Sequence, residues 1–107
     1  MSGDGSRYGR LMALEVRDDA SYARYRKEMA PILASCGGRF DHDFVVSEVL
    51  TSSAGDRINR VFAISFPERA AAVRFFGDPA YREIRARLFE PAVASVAQLA
   101  EFSAAMG

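Results

Sequence analysis

Val61-Phe62-Ala63-Ile64-Ser65-Phe66 reads as a strand that is apolar on both of its sides. Side chains alternate along a strand, so Phe62, Ile64 and Phe66 share one face while Val61, Ala63 and Ser65 share the other. Six residues with a single hydroxyl among them require cover on both faces. The run Leu11-Met12-Ala13-Leu14, inside a strand expected over residues 9–16, has the same character. The chain has too few helices to cover both faces, and the simplest second cover is another copy.

Outward from these strands the period changes. Over residues 20–36, Tyr22, Tyr25, Met29, Ile32 or Leu33, and Cys36 fall on one helical stripe, with Arg24, Lys27 and Glu28 elsewhere. Arg17-Asp18-Asp19 offers the N-cap carboxylate, Pro31 predicts a kink with a hydrogen bond lost near Lys27, and Gly37-Gly38 supplies a left-handed C-cap. Residues 39–50 read as a second strand, polar at Asp41-His42-Asp43 and apolar toward Leu50. A turn at 51–56 and a third strand from about Ile58 to Phe66 complete an antiparallel hairpin. The second helix starts at Glu68 and is interrupted at Gly77-Asp78-Pro79, which stops, caps and restarts it. Its second half runs to Phe89, with Tyr81, Ile84 and Leu88 inward and Arg82, Arg85 and Arg87 solvated. Residues 93–102 form the last strand. The order β-α-β-β-α-β, with the second helix split, predicts an α+β, ferredoxin-like subunit with a four-stranded antiparallel sheet and both helices on one face. Residues 1–8 are expected to be a flexible N-terminal segment and 9–107 a single domain. Stacking the two open sheet faces into a homodimer, a dimeric α+β barrel, covers roughly 700 Å² per subunit.

Composition narrows the function classes. Basic and acidic residues balance at 14 each, and Lys27 is the only lysine, so the other 13 basic residues are Arg. They are spread from Arg7 to Arg87 among acids, which argues against a nucleic-acid partner. No run approaches the roughly 18 apolar residues of a membrane span, and one cysteine rules out an intrachain disulfide, so a cytoplasmic location is expected.

The pattern Tyr22-x-x-Tyr25-Arg26, Pro31 and Gly37-Gly38-Arg39 continues in Asn59-Arg60-Val61-Phe62, Phe66-Pro67 and Phe75-Phe76-x-Asp78-Pro79-x-Tyr81. Over roughly residues 10–102 it resembles an uncharacterised domain-of-unknown-function family of the dimeric α+β-barrel superfamily. The resemblance implies a ferredoxin-like subunit and a face-to-face dimer, and carries no established activity. The wider superfamily includes cofactor-free monooxygenases acting on polycyclic aromatics, small isomerases, haem-binding enzymes and ligand sensors, which share a cavity between sheet and helices. Fold alone does not choose among them.

His42 is the only histidine, and the only side chain whose ordinary pKa lies near neutrality, so it is the candidate catalytic acid–base group. The alternative is a solvated histidine at the sheet margin. Asp41 and Asp43 share a strand face opposite His42, about 7 Å apart, and with no second His or Cys nearby no metal site is expected. The resemblance places Tyr22 and Tyr25 near the mouth of the cavity, where they either bind a ligand or simply pack. Phe62 and Phe66 would line it, and Arg60 would supply a polar handle or a salt bridge. Arg39 is expected to pair with an acid. No Gly-rich phosphate loop or nucleophilic triad is present, and no cofactor is implied. Three functions follow: a dimeric module binding a small apolar or aromatic molecule, a cofactor-independent monooxygenase- or isomerase-type enzyme using His42, and a structural dimer without ligand.

Overall fold

The computed structural model describes residues 6–105. Strands β1 (Ser6–Val16), β2 (Arg39–Val45), β3 (Arg60–Phe66) and β4 (Val93–Ala105) form one antiparallel sheet in the order β2-β3-β1-β4. Helices α1 (Asp19–Ser35), α2 (Arg69–Gly77) and α3 (Pro79–Ile84) supply the cover, and the chain after α3 continues as a π-helical turn, Arg85–Phe89. The ferredoxin-like order read from the sequence is therefore the observed one.

Local chemistry sets the joints. The Asp18 carboxylate accepts from the Ser21 N–H (3.0 Å) and starts α1, and α1 runs on through Pro31. At its end Gly37 takes φ +71°, and the Gly38 N–H reaches back to the Leu33 carbonyl (2.9 Å). A β-carbon at Gly37 would lie 2.7 Å from Pro67, so both conformation and space require glycine there. Asp78 accepts from the amides of Ala80 (2.8 Å) and Tyr81 (3.1 Å), which restarts the second helix at Pro79 as expected.

The core lies between sheet and helices. Leu14, Ile64 and Phe66 from the strands meet Tyr25, Met29 and Leu33 of α1 and Phe75 of α2. Because β1 and β3 pair with Met12 opposite Phe62 and Arg10 opposite Ile64, the even-numbered residues of both strands face the helices. The odd-numbered residues, among them Leu11, Ala13, Val61 and Ala63, face the open side.

Several boundaries differ from expectation. β1 begins at Ser6, so Arg7 and Tyr8, expected in a flexible segment, belong to the sheet; residues 1–5 lie outside the described part. β2 stops at Val45 rather than Leu50, and β3 starts at Arg60. The reason is Asn59: its carbonyl accepts the last bond of that ladder, from the Val46 amide (2.9 Å), while its other groups serve β1. Its amide donates to Leu14, and its side chain both accepts from and donates to the Val16 backbone (2.8 Å each). Leu50, expected in a strand, is left 87% exposed in the connection. The β2–β3 register also slips between Phe40 and His42, which makes Asp41 a bulge residue.

Candidate functional site

A cavity of about 200 Å³ lies between the sheet and the helices. Arg10, Met12 and Leu14 of β1, Phe40 of β2, and Phe62 and Ile64 of β3 form its floor. Tyr22, Tyr25, Arg26 and Met29 of α1 form one wall, and Phe75, Phe76 and Tyr81 of α2 and α3 the other. The π-helical turn contributes both Arg85 and Phe89, and Val96 of β4 closes one edge. Such wide turns recur at functional sites.

The buried polar groups are few and paired. The Tyr25 and Tyr81 hydroxyls are 2.8 Å apart, and either can donate. Burial pushes both phenols above their ordinary pKa, with Arg85 pulling the other way, so both stay protonated. The Tyr22 hydroxyl, also raised by burial, accepts from Arg26 (2.8 Å). Arg26 lies 3.7 Å from the Phe40 ring centre and is paired with Asp43 at 2.6 Å. Burial disfavours its charge, but Asp43 and Tyr22 more than compensate. Three arginines line the cavity, and among the described residues no Asp, Glu, His or Cys does.

Of the residues singled out from the sequence, Tyr22, Tyr25 and Phe62 line the cavity together. Phe66 does not: it is fully buried behind it, with ring centres 5.6 Å from Phe75 and 5.8 Å from Phe76. Arg60 lies outside the lining, paired with Asp19 at 2.9 Å and 5.4 Å from the centre of the Tyr22 ring. His42 sits on the open face, opposite Ala63, with its ring stacked on Phe44 at 5.8 Å. Simple alternation from Phe40, which lines the cavity, places His42 in the cavity as well; the bulge at Asp41 turns it away. The same bulge separates the two aspartates expected to share a face. Asp41 pairs with Arg39 (2.7 Å) beside Ser65, while Asp43 reaches Arg26 on the helix side. Among the described residues no group of three potential metal ligands comes together, and no helix is long and apolar enough to cross a membrane.

Arg10, Arg26, Arg85 and Tyr81 were not singled out as ligand-lining residues. Arg85 was expected to be solvated and instead turns toward the cavity. The available signals were modest: Arg10 interrupts the otherwise uncharged inward face of β1, and Arg26 and Arg85 each follow a buried tyrosine by four residues, one helical turn on.

On the open side a second polar cluster is buried at the end of the sheet. Arg7, 7% exposed, donates to the Ser65 hydroxyl (3.0 Å), the Ser65 carbonyl (3.0 Å) and the Gly37 carbonyl (2.7 Å). Burial opposes ionisation of Asp41, but Ser65, Arg39 and Arg7 outweigh it and hold its carboxyl below the ordinary 3.8. A pKa lower in the folded state contributes stability that is complete above the unfolded value and lost as pH falls through the folded one. Asp41→Asn is therefore expected to lower the melting temperature near neutral pH and to flatten its decline below about pH 4. Melting curves of both proteins across that range check this, and parallel declines would remove Asp41 from the role. Glu28, lowered by its bond to Arg87, contributes the same sign in both proteins and cancels in the comparison.

Fold and chamber together define a ferredoxin-like α+β subunit, a four-stranded antiparallel sheet with its helices packed against one face. Residues 10–101 match the family model described as Domain of unknown function (DUF1330), and the chain belongs to that family. Among solved structures it is similar to a protein of unknown function from Rhodopseudomonas palustris, with TM-score 0.77 and 20% identity over 92% of this chain and 82% of that one. It is also similar to a dabb family protein with a ferredoxin-like fold from Mesorhizobium loti, with TM-score 0.66 and 13% identity over 91% of this chain and 95% of that one. A third is a nipsnap family protein with unknown function from Agrobacterium tumefaciens, with TM-score 0.61 and 15% identity over 94% and 90% of the two chains. At these identities the likeness is one of fold. No curated protein matches the chain.

Proposed function

We propose that this protein binds a small, largely apolar molecule built on one aromatic ring, in the chamber between sheet and helices, and does so as a homodimer closed through its open sheet faces. The observation that carries the reading is the chamber itself: about 200 Å³, with half of its lining residues aromatic and the Tyr25–Tyr81 hydroxyl pair among its few internal polar groups. An apolar protein cavity of about 150 Å³ takes up benzene, so this one suits a single substituted ring rather than a polycyclic molecule. Support for the dimer comes from the open face, where Leu11 and Val61 are only half-buried over the buried Ala13 and Ala63, and whose β2 edge leaves Phe44 54% exposed.

The enzyme reading through His42 has less support, because that ring stands on the opposite side of the sheet from the chamber. The titratable groups inside are phenols held protonated and arginines, which favours binding over proton transfer near neutral pH. A ligand-free structural dimer accounts for the open face but not for the chamber.

Benzamide and benzoate serve as single-ring probes. Either is expected to shift the ring proton resonances of Phe75 and Tyr81 and to raise the melting temperature, with about 2.7 kcal/mol gained at a hundredfold excess over Kd. Val96→Trp, at an edge position 45% exposed, fills the chamber with little demand on folding and is expected to abolish both effects. Absence of binding, or shifts that survive this substitution, would overturn the proposal.

A further inference from the structure

Resting on the single-ring reading, the charge around the chamber names the ligand's class. A shallow outer recess shares Arg10, Phe76, Tyr81 and Arg85 with the chamber, which makes these four residues its mouth. The recess adds Arg82 and Glu90, so three guanidinium groups meet one carboxylate here, in a chain of net charge zero. Arg10 is fixed in place: its Nε donates to the Tyr8 hydroxyl (2.8 Å), and its guanidinium lies 4.7 Å from the centre of the Phe76 ring. Its two Nη groups have no hydrogen-bond or ion-pair partner among the described residues. Glu101, its cross-strand neighbour, is engaged instead by Tyr8 and Arg69. Arg85 is held similarly, 4.8 Å from the centre of the Phe89 ring and paired with Glu90 at 2.8 Å. Arg26 differs, because both of its Nη groups are engaged by Asp43, and one also by Tyr22, whereas Glu90 takes only one Nη of Arg85.

We infer that the ligand is an aromatic carboxylate, its ring inside against Phe75, Tyr81 and Phe89 and its carboxylate at the mouth between Arg10 and Arg85. A guanidinium stacked on a ring is a planar donor fork held ready, and it matches a carboxylate in shape and charge. Arg10 is half-buried at the open mouth, so its unused donors face water that an incoming carboxylate can replace.

Titration calorimetry with benzoate, its neutral analogue benzamide, and the ringless anion acetate tests the assignment. Benzoate is expected to bind roughly tenfold or more tightly than benzamide, and acetate much more weakly than benzoate. Arg10→Gln should bring benzoate close to the benzamide level, with a much smaller loss for benzamide, which gives up a neutral rather than a charge-assisted hydrogen bond. Should that variant melt early, Arg85→Gln carries the same expectation, as does a salt-dependent benzoate affinity beside a salt-independent benzamide one. Equal affinity for benzoate and benzamide would overturn the carboxylate while leaving the single-ring reading intact. Acetate binding as tightly as benzoate would overturn it in favour of a surface anion site. Failure of both ring compounds to bind would overturn both readings.

Discussion

Val61→Asp is expected to convert the proposed dimer to a monomer, read as a halved mass by native mass spectrometry or light scattering. Val61 lies in the middle of the open face, opposite Ala13 of β1 and Phe44 of β2. A carboxylate there has no arginine or lysine directly across from it, and burying an unpaired charge costs about 3–5 kcal/mol. A two-fold interface meets that cost twice, so the dimer should weaken by on the order of 10³-fold or more. Because Val61 is half-buried within the subunit, Phe44→Asp serves as the companion variant: Phe44 is already more than half exposed, so the subunit should fold while the dimer is lost. If both variants keep the parent's dimeric mass, the interface lies on another face.

Phe66→Ala should have the largest effect on stability, a loss of about 3–5 kcal/mol. The ring is completely buried, packs on Phe75 and Phe76, and lies against Gly38, where an added β-carbon would come within 2.8 Å of it. Against a total stability of about 5–15 kcal/mol this brings the protein near its unfolding threshold. Urea unfolding at fixed protein concentration measures it, since dimerisation makes apparent stability concentration-dependent. Phe66 lies behind the chamber rather than in its lining, so the folded fraction should keep the parent's affinity for the ring probes. A loss below about 1 kcal/mol would mean that the surrounding rings collapse into the gap.

These two residues belong to one strand, and their different consequences follow from alternation alone. Which strands and helices exist, their order, the break at Gly77-Asp78-Pro79 and the apolar character of both faces of β3 all depend on side chains near in sequence. The sequence by itself determined those, and with them the ferredoxin-like subunit and the presence of Tyr22, Tyr25 and Phe62 on surfaces that face one another. Only the tertiary structure decided the rest of the site. His42 left the chamber, and Asp43 reached Arg26, because one residue bulges at Asp41, and a single inserted residue reverses every later side chain in the strand. Arg85 entered the chamber on a π-helical turn rather than facing solvent, and Phe66 fell behind the lining because α2 lays Phe75 and Phe76 across it. Bulges, widened turns and the packing of one helix over one ring arise from contacts between residues far apart in the chain, and periodicity along the chain does not record them.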